Sequence, residues 1–242
     1  MCTLSWLSSP NGYWLLFTRD ERRTRARGRP PAITRRGGIR ILAPTDGDFG
    51  GTWVGVNSAG VAAALLNRYD DAPADPGVPR VSRGLLVRSL LDSGSTAALL
   101  RRLAGLELGT FQPFTLAVVG RGGLIHLADW DGARLVTSGV DRPGLVRTSS
   151  GRDQAEAERL RGAAFRQVGG GAARPDIGLL RAFHRSHLPE RGAFSVCMHR
   201  DEAETHSVIE IRVSRRTATI RYLDGPPCRE PARSIRSIPV DR

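Results

Sequence analysis

The sequence contains no lysine: all 36 basic residues are arginine, and against 24 acidic residues they leave a net charge of +12. The arginine is spread along a chain that is also rich in alanine, glycine and proline. Such a bias reflects a GC-rich coding sequence more readily than a binding surface. Only residues 19–40 are dense in charge, and they lack the interleaved aromatics on which single-stranded nucleic acid stacks, so no nucleic-acid partner is expected. Three cysteines, Cys2, Cys197 and Cys228, are too few for a disulfide framework and suit a reducing compartment. Apolar runs are short. Nothing approaches the ~18 consecutive apolar residues that span a bilayer, so no membrane span is expected. The opening residues lack a basic n-region, and Ser8, Ser9, Pro10, Asn11 and Gly12 interrupt their apolar stretch, which argues against export and for a cytoplasmic protein.

What is present suffices for one sizeable core: 242 residues, 40% of them hydrophobic. Residues 2–7 and 13–18 are short apolar runs joined by turn chemistry, a β-hairpin. Residues 20–51, with Arg29-Pro30-Pro31 and Gly37-Gly38, read as a polar connection too irregular for a helix. A second hairpin covers residues 51–57 and 61–67, and its small residues Ala62, Ala63 and Ala64 predict close packing against another layer. From Val81 to Leu106 the leucines shift to helical spacing, predicting two short helices separated by Asp92-Ser93-Gly94-Ser95. Strands are predicted over 114–119, 124–128 and 134–137. Helices follow over 153–167, capped by Ser149 or Ser150, and over 175–187, with Pro175 in the first turn and a break at Gly169-Gly170-Gly171 between the two. Strands return over 194–198, 206–213 and 217–223. Hairpins outnumber βαβ units, which predicts an α+β fold of antiparallel sheets with helices on their outer faces. The expected organisation is one domain over 1–225 and a loosely held tail over 226–242.

The residue that stands out chemically is Cys2. Methionine aminopeptidase removes Met1 when the second side chain is small, so Cys2 is expected to become the first residue of the mature chain. Its α-amine, with a pKa of about 7.7–8.0, would then take the thiol proton, and one residue would supply both nucleophile and base. Taken alone, the same cysteine reads more readily as a small buried side chain at a strand start. Its neighbours add weight to the chemical reading. The first hairpin brings Arg19 and Asp20 to the Cys2 end, where a guanidinium favours thiolate and a carboxylate orients the amine or the guanidinium. The second hairpin ends at Asn67, whose side-chain N–H is suited to an oxyanion.

Other clusters carry less. Among the five histidines, His184 and His187 share a helical face, but neither belongs to a recognisable ligand set, so no metal site is expected. Cys197 and His199 alternate on the predicted 194–198 strand and its end, and a structural role is preferred for them. Gly169 to Gly171 lacks the residues of a phosphate loop and reads as a linker.

The strings MCTLSW, GYWLLFTRDERR and GGTWVGVNSAGVAAALLNRYDD resemble the Asn-Arg-Asp-Glu (NRDE) family, the transport and Golgi organisation protein 2 family. Thr18-Arg19-Asp20-Glu21 departs from the name-giving motif only at its first residue, and segments 112–116 and 194–200 are similar too. The resemblance implies an N-terminal-nucleophile hydrolase-like αββα sandwich of two antiparallel sheets between helical layers. By the choloylglycine hydrolase and penicillin acylase branch of that fold, it implies catalytic roles for Cys2, Arg19, Asp20 and Asn67, with Asn57 and Gly60 in the hairpin turn and Glu21 the neighbouring alternative to Asp20. Where that branch has a second asparagine this chain has Ser149. Where it has a late arginine this chain has Glu204-Thr205-His206-Ser207, and His206 reads as a solvent-facing strand residue. The implied activity is cysteine-dependent hydrolysis of a small-molecule acyl or non-peptide amide substrate, without metal or organic cofactor. The alternative is a non-enzymatic carrier of a hydrophobic ligand such as haem or an acyl lipid.

Overall fold

The computed structural model describes residues 1–69, 80–140, 142–170 and 174–241. Asp70 and Asp71 of the third family-like string, Gly171 of the expected glycine break and Arg242 of the expected tail lie outside them. The chain opens with the expected hairpin, β1 (Cys2–Ser9) and β2 (Gly12–Arg22). Residues 20–51, read as an irregular connection, instead contain a second hairpin, β3 (Arg29–Arg36) and β4 (Ile39–Thr45). Its turn is Gly37-Gly38, both at positive φ (54° and 83°), the conformation that two-residue hairpin loops require. Pro30 and Pro31 are tolerated because β3 is an edge strand whose register slips between Arg29 and Ala32.

Strands β5 (Val54–Asn57) and β6 (Ala62–Asn67) form the next hairpin, followed by helices α1 (Arg83–Leu90) and α2 (Thr96–Ala104). Ser95 caps α2, its hydroxyl accepting from the Ala98 amide at 3.1 Å. Then come β7 (Phe114–Val119), β8 (Ile125–Trp130), β9 (Leu135–Val140) and β10 (Gly144–Ser149). Helix α3 (Gln154–Gly169) is capped by Asp153 rather than by Ser149 or Ser150. Helix α4 (Ile177–Arg185) is capped by Asp176, which leaves Pro175 outside the first turn. The chain closes with β11 (Ala203–Val213), β12 (Thr217–Leu223) and β13 (Arg233–Pro239).

Two expectations fail in this last third. Residues 194–198 form bends, not a strand: Arg161 takes the Phe194 and Ser195 carbonyls and the Cys197 amide bonds Ser186, so the backbone is satisfied without a ladder. The expected loose tail contains β13, paired with β12 from Arg233 to Pro239, and buries Ile238 and Val240 against the core.

The strands make a six-stranded antiparallel sheet, β10-β1-β2-β11-β12-β13, and a seven-stranded one, β3-β4-β5-β6-β7-β8-β9. Strand alternation divides the apolar residues between layers. Leu4, Trp6, Leu15 and Phe17 of one sheet meet Val54, Ala62, Ala64 and Ala117 of the other between the sheets. Ala63, Leu65, Leu116 and Val118 face outward beneath Leu86, Leu90, Leu99 and Leu103 of α1 and α2. Leu7 and Leu16 face the opposite way, beneath α4. The result is an αββα sandwich, as expected, with Ala62 to Ala64 covered on both faces. No helix among the described residues is long and apolar enough to cross a membrane.

Candidate active site

The start of β1 and the ends of β2 and β6 set the geometry. In β1 Cys2 lies opposite Arg19 of β2 on one side and opposite Ser149 of β10 on the other. Cys2, Arg19, Asp20 and Asn67 all line one cleft of ≈ 350 Å³, together with Glu21, Arg25, Asp46, Trp53, Tyr69, Arg80 and Arg83. The four residues singled out in the sequence therefore meet at one place.

Strand alternation then separates their side chains. Cys2 packs against the core between the sheets, and Arg19 is on that same side, its guanidinium carbon 4.6 Å from the centre of the Trp53 ring. Arg19 Nη2 donates to Asp46 Oδ2 at 2.9 Å and reaches Glu21 Oε2 at 3.5 Å. Its Nη1 is buried and has no partner among the described residues. Asp46 lies beside this guanidinium. Burial would raise its pKa, but the Phe49 amide and the charges of Arg25 and Arg19 hold it below the ordinary carboxylate value.

Asp20 turns toward α3 instead. Its carboxylate accepts from Arg161 Nη2 at 3.1 Å and from Thr205 Oγ1 at 2.7 Å, and both side chains of the Asp20–Arg161 pair are fully buried. Of the two neighbouring acids, Glu21 thus shares the Arg19 face and Asp20 is a buried ionic anchor.

Arg161 is the residue the sequence reading missed. It donates from Nη1 to Thr148 Oγ1 (2.9 Å), to Thr3 Oγ1 and to the Cys2 carbonyl (3.4 Å), from Nη2 to the Ser195 carbonyl (2.8 Å), and from Nε to the Phe194 carbonyl (3.1 Å). A buried guanidinium needs this many acceptors. One signal was available: Ala157, Arg161 and Ala164 fall four and three residues apart, so the arginine sits on the apolar stripe of α3.

Asn67 ends β6 with its Nδ2 donating to the Tyr69 hydroxyl at 3.0 Å. Asn57 does structural work at the hairpin turn: its Oδ1 accepts from the Ala59 and Val61 amides, and its Nδ2 donates to the Leu91 and Ser93 carbonyls. Ser149 is buried with its hydroxyl unpartnered among the described residues. His206, expected to face solvent, is buried at the irregularity where β11 shifts register against β2. Burial and the charges of Arg19 and Arg27 lower its pKa to about 4.

In this form Met1 is paired with Asp20: the Asp20 amide donates to the Met1 carbonyl at 2.9 Å, and the Met1 amine donates to the Asp20 carbonyl at 3.2 Å. Burial pushes the Cys2 thiol above its usual pKa. The terminal ammonium and Arg19 pull it down, and Asp20 and Glu21 push it further up. A thiol so placed is protonated at neutral pH and needs a base.

Residues 1–136, more than half of the chain, match the family model for Transport and Golgi organisation 2. The chain belongs to that family. No curated protein sequence matches it. Among solved structures, penicillin V acylase from Agrobacterium tumefaciens is similar with a TM-score of 0.57 at 14% identity, over 93% of this chain and 83% of that one. An N-acylethanolamine-hydrolyzing acid amidase orthologue from Caenorhabditis elegans gives 0.58 at 12% identity, over 87% and 92%. A mutant of conjugated bile acid hydrolase from Clostridium perfringens gives 0.54 at 8% identity, over 98% and 96%. At such identities the likeness establishes the fold, the N-terminal-nucleophile hydrolase-like sandwich.

Proposed function

We propose that this family member is an N-terminal-nucleophile hydrolase that cleaves a non-peptide amide or related acyl bond through Cys2. The observation that carries this reading is the meeting of Cys2, Arg19, Asp20 and Asn67 in one cleft at the start of β1. The mechanism begins with cleavage of the Met1–Cys2 bond. That step supplies the base the raised thiol requires, an α-amine with a pKa of about 7.7–8.0. It also vacates the space now held by the Met1 side chain, whose sulfur lies 3.4 Å from Arg161 Nη2. The new amine would then lie beside the Asp20 carboxylate that Arg161 and Thr205 fix in place. The amine takes the thiol proton, and sulfur attacks the acyl carbon. Asn67 Nδ2 and the Asp20 amide, freed from the Met1 carbonyl, are the donors suited to the tetrahedral oxyanion. The protonated amine returns its proton to the leaving group, and water hydrolyses the thioester. Arg19, held by Asp46 and Trp53, keeps positive charge near the sulfur.

The cleft walls point to a substrate class. Phe49, Trp53, Leu65 and Val81 offer apolar surface, while Arg80 and Arg83 add positive charge. An acyl chain attached to a head group bearing negative charge would satisfy both.

Intact-mass spectrometry of the purified protein tests the first step, with loss of the Met1 mass as the expected result. An acyl-mimicking electrophile should then label Cys2, and Cys2→Ala should abolish labelling and turnover. Turnover by a protein that retains Met1, or unchanged turnover in Cys2→Ala, would overturn the reading. Haem or lipid binding that survives Cys2→Ala in a protein without turnover would favour a carrier instead.

A further inference from the structure

Away from the cleft, four side chains from three segments converge. His187 follows α4 just past its cap Ser186, Cys197 lies on the bends before β11, His199 forms an isolated β-bridge to Glu204 of β11, and Cys228 sits in the 3-10 turn Pro227–Arg229 after β12. Each offers one ligand atom, and the four atoms all lie within 4.8 Å of one another. His199 Nε2 is 3.2 Å from His187 Nε2, 3.5 Å from Cys197 Sγ and 3.3 Å from Cys228 Sγ.

Hydrogen bonding does not account for this arrangement. One imidazole nitrogen carries one proton or one lone pair and makes one good hydrogen bond. Three heteroatoms crowd this one. A cation at their centre accounts for all of them. Tetrahedral zinc, with bonds of about 2.3 Å to sulfur and 2.0–2.1 Å to nitrogen, puts its ligand atoms about 3.3–3.8 Å apart. The three separations around His199 lie at or just below that range.

We propose that His187, Cys197, His199 and Cys228 form a closed, four-coordinate site for a divalent metal ion, zinc foremost. Two thiolates and two imidazoles are the donor set that selects zinc over the hard cations. On binding, each S–H bond gives its proton to solvent as the sulfur–metal bond forms, and each neutral imidazole donates a lone pair. No electron is transferred, and two thiolates neutralise the dication. Ligation by two thiols must release their protons, so binding weakens as pH falls. Ligation through Nε2 leaves the ring proton on Nδ1, so Arg191, now 3.5 Å from that atom at the surface, turns away.

With all four positions filled by protein the site is structural. It ties the end of α4, the 194–199 segment and the turn after β12 into one knot. Those bends also present the Phe194 and Ser195 carbonyls to Arg161. The metal would therefore hold the support on which the Asp20–Arg161 pair rests, at a distance from the reacting sulfur.

The test is metal analysis of the full chain purified under reducing conditions, followed by chelation and titration with cobalt(II). About one zinc per chain is expected. Cobalt should produce the intense visible bands of a tetrahedral centre and a thiolate charge-transfer band, which zinc then displaces. In a Cys2→Ala background, zinc should protect the two remaining thiols from alkylation, and Cys228→Ser and His187→Ala should lower metal content. If those variants do not fold, the cobalt spectrum of the unsubstituted chain still decides. A chain that carries no metal, gives an octahedral cobalt spectrum and leaves both thiols reactive with zinc present would sink the proposal. So would a Cys197–Cys228 disulfide that persists in reductant.

Discussion

At the scale of single residues, the site is organised by charges that water does not reach. Asp20 and Arg161 face each other with both side chains fully buried, and each spends its remaining hydrogen-bonding capacity on neutral groups: Thr205 for the carboxylate, and Thr3, Thr148 and three backbone carbonyls for the guanidinium. Breaking such a pair costs more than the pair contributes, because the survivor is left charged in a medium that cannot solvate it. Arg161→Met should therefore destabilise the fold by about 3–5 kcal/mol in urea unfolding. Adding Asp20→Asn to it should recover part of that loss. A double variant less stable than Arg161→Met would contradict the buried-ion account. Arg161 was invisible to spacing arguments beyond its own helix, because the acid it pairs with lies 141 residues away. The pairing of Cys2 with Arg19 was legible, since a tight hairpin turning at Pro10-Asn11, between the paired Ser9 and Gly12, fixes the register of everything before and after it.

At the scale of elements, the cleft depends on how closely α1 approaches the second sheet. Gly84 and Gly51 touch backbone to backbone: a Cβ on Gly51 would lie 2.4 Å from the Gly84 carbonyl carbon, and the Thr52 amide donates to the Gly84 carbonyl at 2.9 Å. Backbone cannot swing aside, so Gly51→Ala must push α1 away and carry Arg83 with it. The expected loss is about 1–3 kcal/mol, an overpacking cost, with a raised KM where a substrate is in hand. Thermal denaturation of Gly51→Ala equal to the parent would show that α1 adjusts freely. The leucine spacing made α1 and α2 readable, and Gly51 and Gly84 gave no sign of this contact. The β3–β4 hairpin was unreadable for a related reason. It is an edge pair with seven of eight β3 residues outside the core, so the arginines and prolines that suggested a loop are what an exposed edge strand carries. The bends over 194–198 looked like a strand because their apolar residues are buried. Val196 is buried against Ala164 of α3 and Phe183 of α4 rather than within a ladder.

At the scale of the molecule, the stacked sheets and helices bury polar groups along with apolar ones, and the histidines among them make stability depend on pH. His184 is the clearest case. It leaves α4 to sit between Ser5 Oγ, 2.7 Å from Nε2, and Thr18 Oγ1, 2.6 Å from Nδ1, and it is buried beneath the six-stranded sheet. Burial, and then the charge of Arg161, lowers its pKa from 6.5 to about 3. The unfolded chain binds a proton at this residue below pH 6.5 while the folded chain does not, so stability falls as pH falls. The slope from His184 alone approaches 1.4 kcal/mol per pH unit, fully developed a unit below its unfolded pKa. His206 acts in the same direction, its pKa lowered to about 4. Asp46, with its pKa lowered from 3.8, adds its loss only in stronger acid, so the interval from pH 6 to 4.5 belongs to histidine. His184→Gln keeps a donor and an acceptor between the two hydroxyls and cannot titrate. Urea unfolding of both proteins across that interval should give a shallower pH dependence for the variant, by close to one proton per molecule. Parallel curves would mean that His184 is charged in the folded protein, and the neutral bridge between β1 and β2 would have to be abandoned.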